Sequence, residues 1–434
     1  MMSDDEKEVL KSGGFDVDPP PESTPIPGES ELARGMTREL WESALPELRR
    51  RASEKTMLQV KCGFDPTIRD PHLGHFVLIN KLRQFQEAGF FVRLVIGDFT
   101  ARIGDPTGRS AERPKLSHGE AEANAKPFLD KITEFLDDRL TAFSYNSWWF
   151  EEMDLPEFMG ILEKFTTQQM LARRDFRKRM DDGASLGLHE LMYPIMQAHD
   201  SVVLEPDIEL GGRDQLFNLS VGRDLMETCG KKPQIILTVD LLLGLDGKRK
   251  MSKSLDNHIP LSDPPYNIGS RDGMFGKIMS ISDETMDQWY ELLWAGDDCE
   301  RQAAAQRGRK AEKVALAFDI VSSIHGEEAA EEARNQFDML HPPKGQERVA
   351  PDLEPVTVSW SEVPQFPVAH LLKHLGMCSS VSDARRMIEG RGVKVDGHRI
   401  LDKFSELRGG RSYLLQVGKR KFRRAELVYD SDSG

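Results

Sequence analysis

Cysteine is scarce and scattered: Cys62, Cys229, Cys299 and Cys378 lie at least 70 positions apart in 434 residues, with no Cys-x-x-Cys pair. That spacing excludes a disulfide framework and a zinc site, so no tightly bound, protein-ligated metal is expected. Long apolar runs are missing too. No stretch approaches the roughly 18 uncharged apolar residues that a membrane helix needs, and the chain opens Met1-Met2-Ser3-Asp4-Asp5-Glu6, the wrong sign for a secretory leader. A soluble, cytoplasmic protein with no membrane partner is the expectation. Positive charge is in deficit, with 58 Lys and Arg against 72 Asp and Glu and a formal net charge of −14. Taken alone, that balance argues against a polyanionic partner, because phosphate neutralisation dominates such binding. No internal repeat is visible.

What is present changes that picture. There are 21 Phe, 6 Trp and 18 Met, enough to bury a sizeable core, and the length suits two to four domains at about 100–200 residues each. The charge average also conceals a reversal: from Pro367 to Leu427 there are 14 Lys and Arg against 6 Asp and Glu, a net of +8, which leaves −22 on the remainder. One end of the chain is suited to a polyanion.

Residues 1 to 30 carry Pro19-Pro20-Pro21, further prolines and many acids with little apolar period, and read as a disordered tail. Helical spacing from Glu31 to Arg51 leads into a short strand at Leu58–Phe64. A helix over 74–88, a strand over 91–96, a glycine-rich loop over 97–108 and a charged helix over 117–136 follow. The alternation resumes with a strand at Ser201–Leu204, a helix near 214–226 and a strand at 235–239. This is the βαβ pattern of a parallel sheet. Between its halves, about 145–200, helical stretches form an insertion whose Trp148, Trp149, Phe150, Phe158 and Met159 are candidates for a subunit interface. Residues 263–345 read as helical and 346–366 as a linker; the basic end spans 367–434.

Two clusters carry chemistry. Phe64-Asp65-Pro66-Thr67 and Pro71-His72-Leu73-Gly74-His75 sit between a strand and a helix, where free backbone amides and the helix dipole favour phosphate. By themselves the two histidines are better explained as capping the helix. The second cluster, Gly244-Leu245-Asp246-Gly247-Lys248-Arg249-Lys250-Met251-Ser252-Lys253-Ser254, follows a strand. Two lysines three apart on a glycine-bearing loop can close over a triphosphate and neutralise the charge on a departing pyrophosphate. Between the clusters, Tyr193, Gln197 and Asp200 fall at i, i+4 and i+7 on one helix face among apolar neighbours, which suggests a polar pocket. Glu209-Leu210-Gly211-Gly212-Arg213-Asp214-Gln215 then offers backbone close to a ligand and a carboxylate for ribose hydroxyls.

His72-Leu73-Gly74-His75 and Lys250-Met251-Ser252-Lys253-Ser254 resemble the two signatures of class I aminoacyl-tRNA synthetases. Together with Lys61–Thr67, Gly97-Asp98-Phe99-Thr100 and Gly104-Asp105-Pro106-Thr107-Gly108, the chain from about 31 to 428 resembles the bacterial tyrosyl-tRNA synthetase family. The resemblance implies an α/β fold: a Rossmann-like parallel-sheet catalytic domain over 31–262 with the helical insertion, a following helical domain, and a small α+β RNA-binding domain. It implies L-tyrosine, ATP with Mg2+ as substrate complex, and tRNA(Tyr) as partners of a homodimer whose tRNA spans both subunits. Asp200 then receives the phenolic hydroxyl, Thr100, Asp105, Tyr193 and Gln197 surround the ammonium group, and Gln215 lies near the carboxylate. Cys62, His75 and Asp214 meet the ribose, and Thr67 and His72 the γ-phosphate. Arg109 and Arg113 join Lys250 and Lys253 on pyrophosphate, while Gly63, Asp65, Gly74, Gly212, Met251, Ser252 and Ser254 complete the ATP site.

At the basic end, the segments around Phe366–Leu372, Ser382–Ile388 and Gly392–Gly397 resemble a small RNA-binding fold. It would present Arg385, Arg386, Arg391, Lys394, Lys419, Arg420 and Lys421 to phosphates through two short helices and a hairpin. The chain departs from the resembling family twice. A tyrosine that often shares the substrate hydroxyl is replaced by Lys61, and Arg213 stands where a small residue is usual. Three rivals stay open: a tryptophanyl enzyme, a non-catalytic RNA-binding relative, and a nucleotidyltransferase using the first cluster alone.

Overall fold

The structure is a computed structural model that describes residues 26–107, 116–267, 273–341, 353, 355–360, 365–418 and 421–429. Arg109, Arg113, Lys419 and Arg420 lie outside the described residues, as do most of the N-terminal tail and most of the linker. The chain divides into two units, one of residues 1–262 with 287–293, the other of 263–286 with 294–434. No described helix is long and apolar enough to cross a membrane.

In the first unit, short runs of β-branched and large apolar residues form β1 (Gln59–Phe64), β2 (Phe91–Ile96), β3 (Thr141–Tyr145), β4 (Ile208–Gly212) and β5 (Ile235–Val239). All neighbours are parallel, in the order β3-β2-β1-β4-β5. Val60, Cys62, Val92, Leu94, Ile96, Ile208, Leu210, Ile235 and Leu237 are buried, as expected of strands in a sheet covered on both faces. Strand order reverses between β1 and β4. Loops leaving these two strands therefore part to opposite sides and open a crevice at their carboxyl ends, where ligands bind in such sheets.

Two expectations need correcting. Ser201–Leu204 is not a strand but the last turn of a helix, Leu188–Leu204; the strand is Ile208–Gly212. The Val202-Val203 pair reads as β on propensity, yet the polar and apolar faces set from Tyr193 onward continue through Ser201, and Glu205 in a left-handed conformation, φ 45°, ends the helix. Strand β3 gave no sequence signal because it sits at the sheet edge with Phe143 exposed. In addition, Ile26 is buried and a short helix starts at Glu29, so residues 26–30 of the expected tail are part of the fold, and the loop after β2 contains one helical turn, Thr100–Ile103.

The insertion is a string of short helices, Ser147–Phe150, Leu155–Leu162, Thr167–Leu171 and Arg174–Asp181, leading into Leu188–Leu204. In the second unit, helices Met274–Ile278, Asp298–Gln306, Arg309–His325 and Glu327–Leu340 precede the basic segment. That segment comprises β6 (Val356–Trp360), β7 (Gln365–Pro367), helices Val368–His374 and Val381–Glu389, β8 (Val393–Val395), β9 (His398–Arg399), β10 (Glu406–Arg408), β11 (Arg411–Val417) and β12 (Lys421–Tyr429). One sheet runs β6-β12-β11-β8-β9 and a second pairs β10 with β7. Val368, Leu371, Leu372, Ala384, Ile388, Val393, Leu415 and Leu427 make its core.

Lys61 is 1% exposed on the central strand β1. Its Nζ donates to Glu209 Oε1 at 2.8 Å, directly across the β1–β4 register, and to Ser201 Oγ at 2.7 Å. Glu209 Oε2 accepts from Ser201 Oγ at 2.7 Å and from Gln234 Nε2 at 2.8 Å. A buried ion pair of this kind is costly to break from one side, because the remaining charge is left without a partner. Lys61→Met is therefore expected to cost about 3–5 kcal/mol, read from urea denaturation. The double variant Lys61→Met, Glu209→Leu should recover most of the loss.

Candidate active site

At the end of β1 the chain turns through Asp65, Pro66 and Thr67, whose amide donates to the Asp65 carbonyl at 2.7 Å. The helix Leu73–Glu87 begins a few residues on, and its first turn has a reciprocal cap. His72 Nδ1 accepts from the Gly74 amide and His75 Nδ1 from the His72 amide, both at 3.1 Å. The capping role that the sequence left open is thus built in: both imidazoles satisfy amides that the helix start would leave orphaned. Burial holds His75 down to about 4 and His72 lower still, so both enter any chemistry as neutral hydrogen-bonding groups. A Cβ on Gly74 would lie 3.0 Å from the His72 ring and 3.6 Å from Met251 Cβ. The glycine keeps the helix entrance flat.

The lysine loop is fastened to this entrance. The Leu73 amide donates to the Ile259 carbonyl at 3.0 Å and the Leu261 amide to the Pro71 carbonyl at 2.8 Å, so residues 259–261 run antiparallel to 71–73. Within the loop, Asp246 accepts from the amides of Lys248 and Arg249, each at 3.0 Å, which holds its carboxyl well below the usual range. Asn257 accepts from the Ser252 amide at 2.9 Å and donates to the Lys250 carbonyl at 3.2 Å. A side chain on Gly244 would collide with Asn257 at 2.2 Å. Met251 is buried, whereas Lys253 is exposed and opens a single turn, Lys253–Leu255. Ser252 Oγ and Ser254 Oγ are 3.0 Å apart. Lys250 Nζ reaches across to Asp214 Oδ2 at 2.7 Å, bringing the lysine loop onto the carboxylate expected at the ribose.

Beside this entrance lies a polar pocket. Asp65 Oδ1 accepts from Thr100 Oγ1 at 2.8 Å and Oδ2 from the Tyr193 hydroxyl at 2.9 Å. Burial, with Asp65 nearby, raises Tyr193 well above the ordinary phenol range, so it stays protonated and donates. A Cβ on Gly97 would sit 2.1 Å from Asp65 Oδ1; only glycine leaves room for this carboxylate. Asp105 accepts at Oδ1 from the Thr107 amide at 2.9 Å and at Oδ2 from Gln215 Nε2 at 2.8 Å. Asn218 Nδ2 ties Gln215 Oε1 at 2.9 Å to Gln197 Oε1 at 3.0 Å. Buried Arg173 closes this side, donating to Asn218 Oδ1 at 3.0 Å and to Thr107 Oγ1 at 2.6 Å.

The far side of the pocket is Asp200. Its Oδ1 accepts from Trp149 Nε1 at 3.0 Å, and Asn146 Nδ2 stands 3.5 Å from Oδ2. Burial pushes this carboxyl up to about 7, against the opposing pull of the Lys61 ammonium and of the donations from Trp149 and Asn146. Cys62 is fully buried in β1 and its thiol is pushed up by burial; Gly63 beside it is exposed. A Cβ on Gly212 would lie 2.9 Å from Asp214 Oδ1, and Arg213 pairs with Asp240 at 3.3 Å.

Asn146, Trp149, Arg173, Asn218 and Asn257 escaped the sequence reading. Each holds another polar residue, a role without a motif. Trp149, an interface candidate from its sequence, turns its indole N–H to Asp200, and Phe150 is buried against Phe99, with ring centroids 5.2 Å apart. Trp148 and Met159 are exposed, joined by Leu155 and Phe143.

In the basic segment, Arg385 and Arg386 ride the helix Val381–Glu389, Arg391 follows it with φ 57°, Lys394 lies on β8 and Lys421 begins β12. Arg386 is exposed apart from a pair with Asp383 at 3.2 Å. The Arg385 guanidinium and the Lys403 ammonium lie 5.6 and 5.5 Å from the centroid of exposed Phe404. Lys421 Nζ donates to the Met377 carbonyl at 3.3 Å.

Two family models match. Residues 53–341 fit the tRNA synthetases class I (W and Y), and residues 368–410 fit the S4 domain. Among curated relatives, the tyrosine–tRNA ligase of Methylococcus capsulatus is 41% identical over 408 residues, covering 92% of this chain and 98% of that one. That of Bordetella avium is 42% identical over 401 residues, covering 91% and 95%. The C-terminally truncated mitochondrial tyrosyl-tRNA synthetase of Aspergillus nidulans shares the fold with a TM-score of 0.58 at 21% identity, covering 77% of this chain and 99% of that one. A family model over residues 53–341 and relatives 41% and 42% identical over nearly their whole length place the chain in the class I tRNA synthetases of the tryptophan and tyrosine group, and within it among the tyrosine–tRNA ligases.

Proposed function

We propose that the chain activates L-tyrosine with ATP to tyrosyl-adenylate and transfers the tyrosyl group to tRNA(Tyr). The observation that carries the choice of amino acid is Asp200, a buried carboxylate joined through Asn146 to the Thr100, Asp65 and Tyr193 cluster at the end of β1. A carboxylate there accepts a hydrogen bond from the phenolic hydroxyl of tyrosine, and phenylalanine leaves that acceptor position unfilled, which costs binding. The relatives named above, tyrosine–tRNA ligases over nearly their whole length, support the same choice.

In the reaction, the tyrosine carboxylate attacks the α-phosphorus of ATP, pyrophosphate leaves, and the terminal ribose hydroxyl of tRNA then attacks the mixed anhydride. No side chain forms a covalent intermediate. Thr100, Asp105, Tyr193, Gln197 and Gln215 are assigned to the amino acid backbone. Cys62, Gly63, Asp65, Gly74, His75, Gly212 and Asp214 are assigned to the nucleoside, with Met251, Ser252 and Ser254 shaping the loop over it. Thr67, His72, Lys250 and Lys253 stabilise the phosphates, so positioning and electrostatics carry the rate. Arg109 and Arg113 are assigned to the same pyrophosphate. Mg2+ arrives with ATP and neutralises its phosphates; among the described residues no group of three or more His, Cys, Asp or Glu is placed to hold a metal ion.

The test is ATP–pyrophosphate exchange by the purified protein with tyrosine, phenylalanine or tryptophan. Exchange with tyrosine alone is expected, and exchange with tryptophan alone would overturn the substrate. Because burial raises Asp200 to about 7, with Lys61, Glu209, Trp149 and Asn146 around it, the stronger acceptor forms as pH rises. KM for tyrosine should therefore fall as pH is raised through that value, a trend that Asp200→Asn should abolish.

Arg385, Arg386, Arg391, Lys394, Lys419, Arg420 and Lys421 are assigned to the tRNA backbone. Arg386→Glu with Arg391→Glu should reduce tRNA charging by about tenfold or more while sparing exchange, because each lost phosphate contact weakens binding whatever the sequence. Undiminished charging at moderate salt would remove these residues from the interface.

A homodimer working in the cytoplasm completes the reading, with the exposed apolar side chains of Phe143, Trp148, Leu155 and Met159 as candidates for the subunit contact. Trp148→Glu with Leu155→Glu should yield monomer in sedimentation equilibrium. A dimer that survives both substitutions would place the contact elsewhere.

A further inference from the structure

This inference deepens the assignment of the basic segment to tRNA and rests on it. An isolated apolar side chain at a surface needs no special reason. Phe404, however, is a large aromatic that is 63% exposed within Pro367–Leu427, a stretch with 14 Lys and Arg against 6 Asp and Glu. Basic side chains account for attraction to phosphate; they do not account for an aromatic ring displayed among them.

The backbone beneath Phe404 is firmly held. The residue lies on the loop between β9 and β10, where its amide donates to Asp402 Oδ1 at 3.0 Å and the Ser405 amide to the Asp402 carbonyl at 3.0 Å. The Ser405 carbonyl accepts from the Val368 amide at 2.9 Å, and Lys403 Nζ donates to Glu389 Oε1 at 2.6 Å. These bonds fasten the loop to the start of the helix Val368–His374 and to the end of the helix Val381–Glu389. A fixed backbone leaves only the side-chain torsions of Phe404 to be ordered when a ligand binds.

Two cations lie beside the ring, the Arg385 guanidinium at 5.6 Å and the Lys403 ammonium at 5.5 Å from its centroid. Lys403 is balanced by Glu389, whereas Arg385 Nε is buried with no hydrogen-bond partner among the described residues. Ring and guanidinium together match a nucleotide, the flat base for one and the phosphate for the other. A base stacked on an aromatic face gains more than an exposed cation does there, so an incoming base takes the ring and releases the guanidinium to phosphate. Within an RNA duplex the base faces are covered by their neighbours; loops, bulges and ends splay bases out for stacking. We propose that Phe404 is a stacking platform for an unpaired base of the bound tRNA, with Arg385 on the adjoining phosphate.

The experiment measures binding of a tRNA(Tyr) transcript to the full-length protein over a series of salt concentrations, together with tRNA charging. Phe404→Leu keeps an apolar side chain and removes the flat face. It should weaken binding and raise KM for tRNA by about tenfold, the size of one base–aromatic stack. The slope of log affinity against log salt should stay as in the wild type, because no phosphate contact is lost, and ATP–pyrophosphate exchange should not change. Phe404→Trp should bind as the wild type does, and tRNA should quench the fluorescence of the added indole. Wild-type behaviour of Phe404→Leu, a shallower salt slope in that variant, binding by Phe404→Trp as weak as by Phe404→Leu, or an added indole that tRNA leaves unquenched overturns the inference. Each of these results, obtained while the wild type charges tRNA, overturns the inference alone. A wild type that neither binds nor charges tRNA overturns the RNA-binding reading itself.

Discussion

The buried ion pair between Lys61 and Glu209 is the interaction on which the rest of the first unit turns. It crosses the β1–β4 register at the point where strand order reverses, and through Ser201 and Gln234 it also engages the helix Leu188–Leu204 and the approach to β5. The crevice is formed by the parting of the loops that follow those strands. Locking β1, β4 and the helix to one another in the sheet fixes where their outer ends stand: Asp65 on one, Gly212 and Asp214 on another, Tyr193, Gln197 and Asp200 on the third. A buried pair contributes little net stability but tolerates few alternative arrangements, and a pocket that must hold carboxylates within hydrogen-bond reach of a substrate needs that kind of definition.

Polar groups inside the pocket are almost all engaged with one another. Asp65 is shared by Thr100 and Tyr193, Asp105 by Thr107 and Gln215, and Asn218 bridges Gln197, Gln215 and Arg173. Each bond removes a rotamer choice that a substrate would otherwise have to remove on binding. Asp200 differs, since it has one close donor and a raised affinity for protons. The most poorly satisfied carboxylate in a well-satisfied pocket is where a ligand donor gains most.

Legibility followed the kind of signal each feature carries. The strands at 59–64, 91–96 and 235–239 and the helix at 73–87 were readable because apolar runs and apolar period match their burial. Edge strand β3 lacks that match, and Val202-Val203 carries a β signal inside a helix whose faces are set by tertiary contacts. At the site, residues belonging to contiguous motifs stood out: His72, His75, Lys250, Lys253, and the Tyr193, Gln197, Asp200 spacing. Trp149, Asn146, Asn218 and Arg173 did not. Trp149 bonds Asp200, Asn146 bonds Thr100, and Arg173 bonds Asn218 and Thr107, across 45 to 66 positions of the chain, and no local pattern records a hydrogen bond of that span. Arg213, a departure without a reason in the sequence, is balanced in space by Asp240.

The lysine loop combines a firmly hydrogen-bonded base with a lysine that is only weakly tied. Its base is rigid: Asn257 and Asp246 bind its backbone, Met251 is buried near Gly74, and residues 259–261 are hydrogen-bonded to 71–73. The Lys250 side chain is held less firmly. Lys250 is tied to Asp214 through a partly exposed ion pair, an interaction worth about 0–1 kcal/mol. On the assignments proposed above, a ribose at Asp214 and a triphosphate at Lys250 would both compete for that pair, whose loss costs little. The contact would then neutralise the two groups in the absence of nucleotide, and its weakness would leave Lys250 available to phosphate.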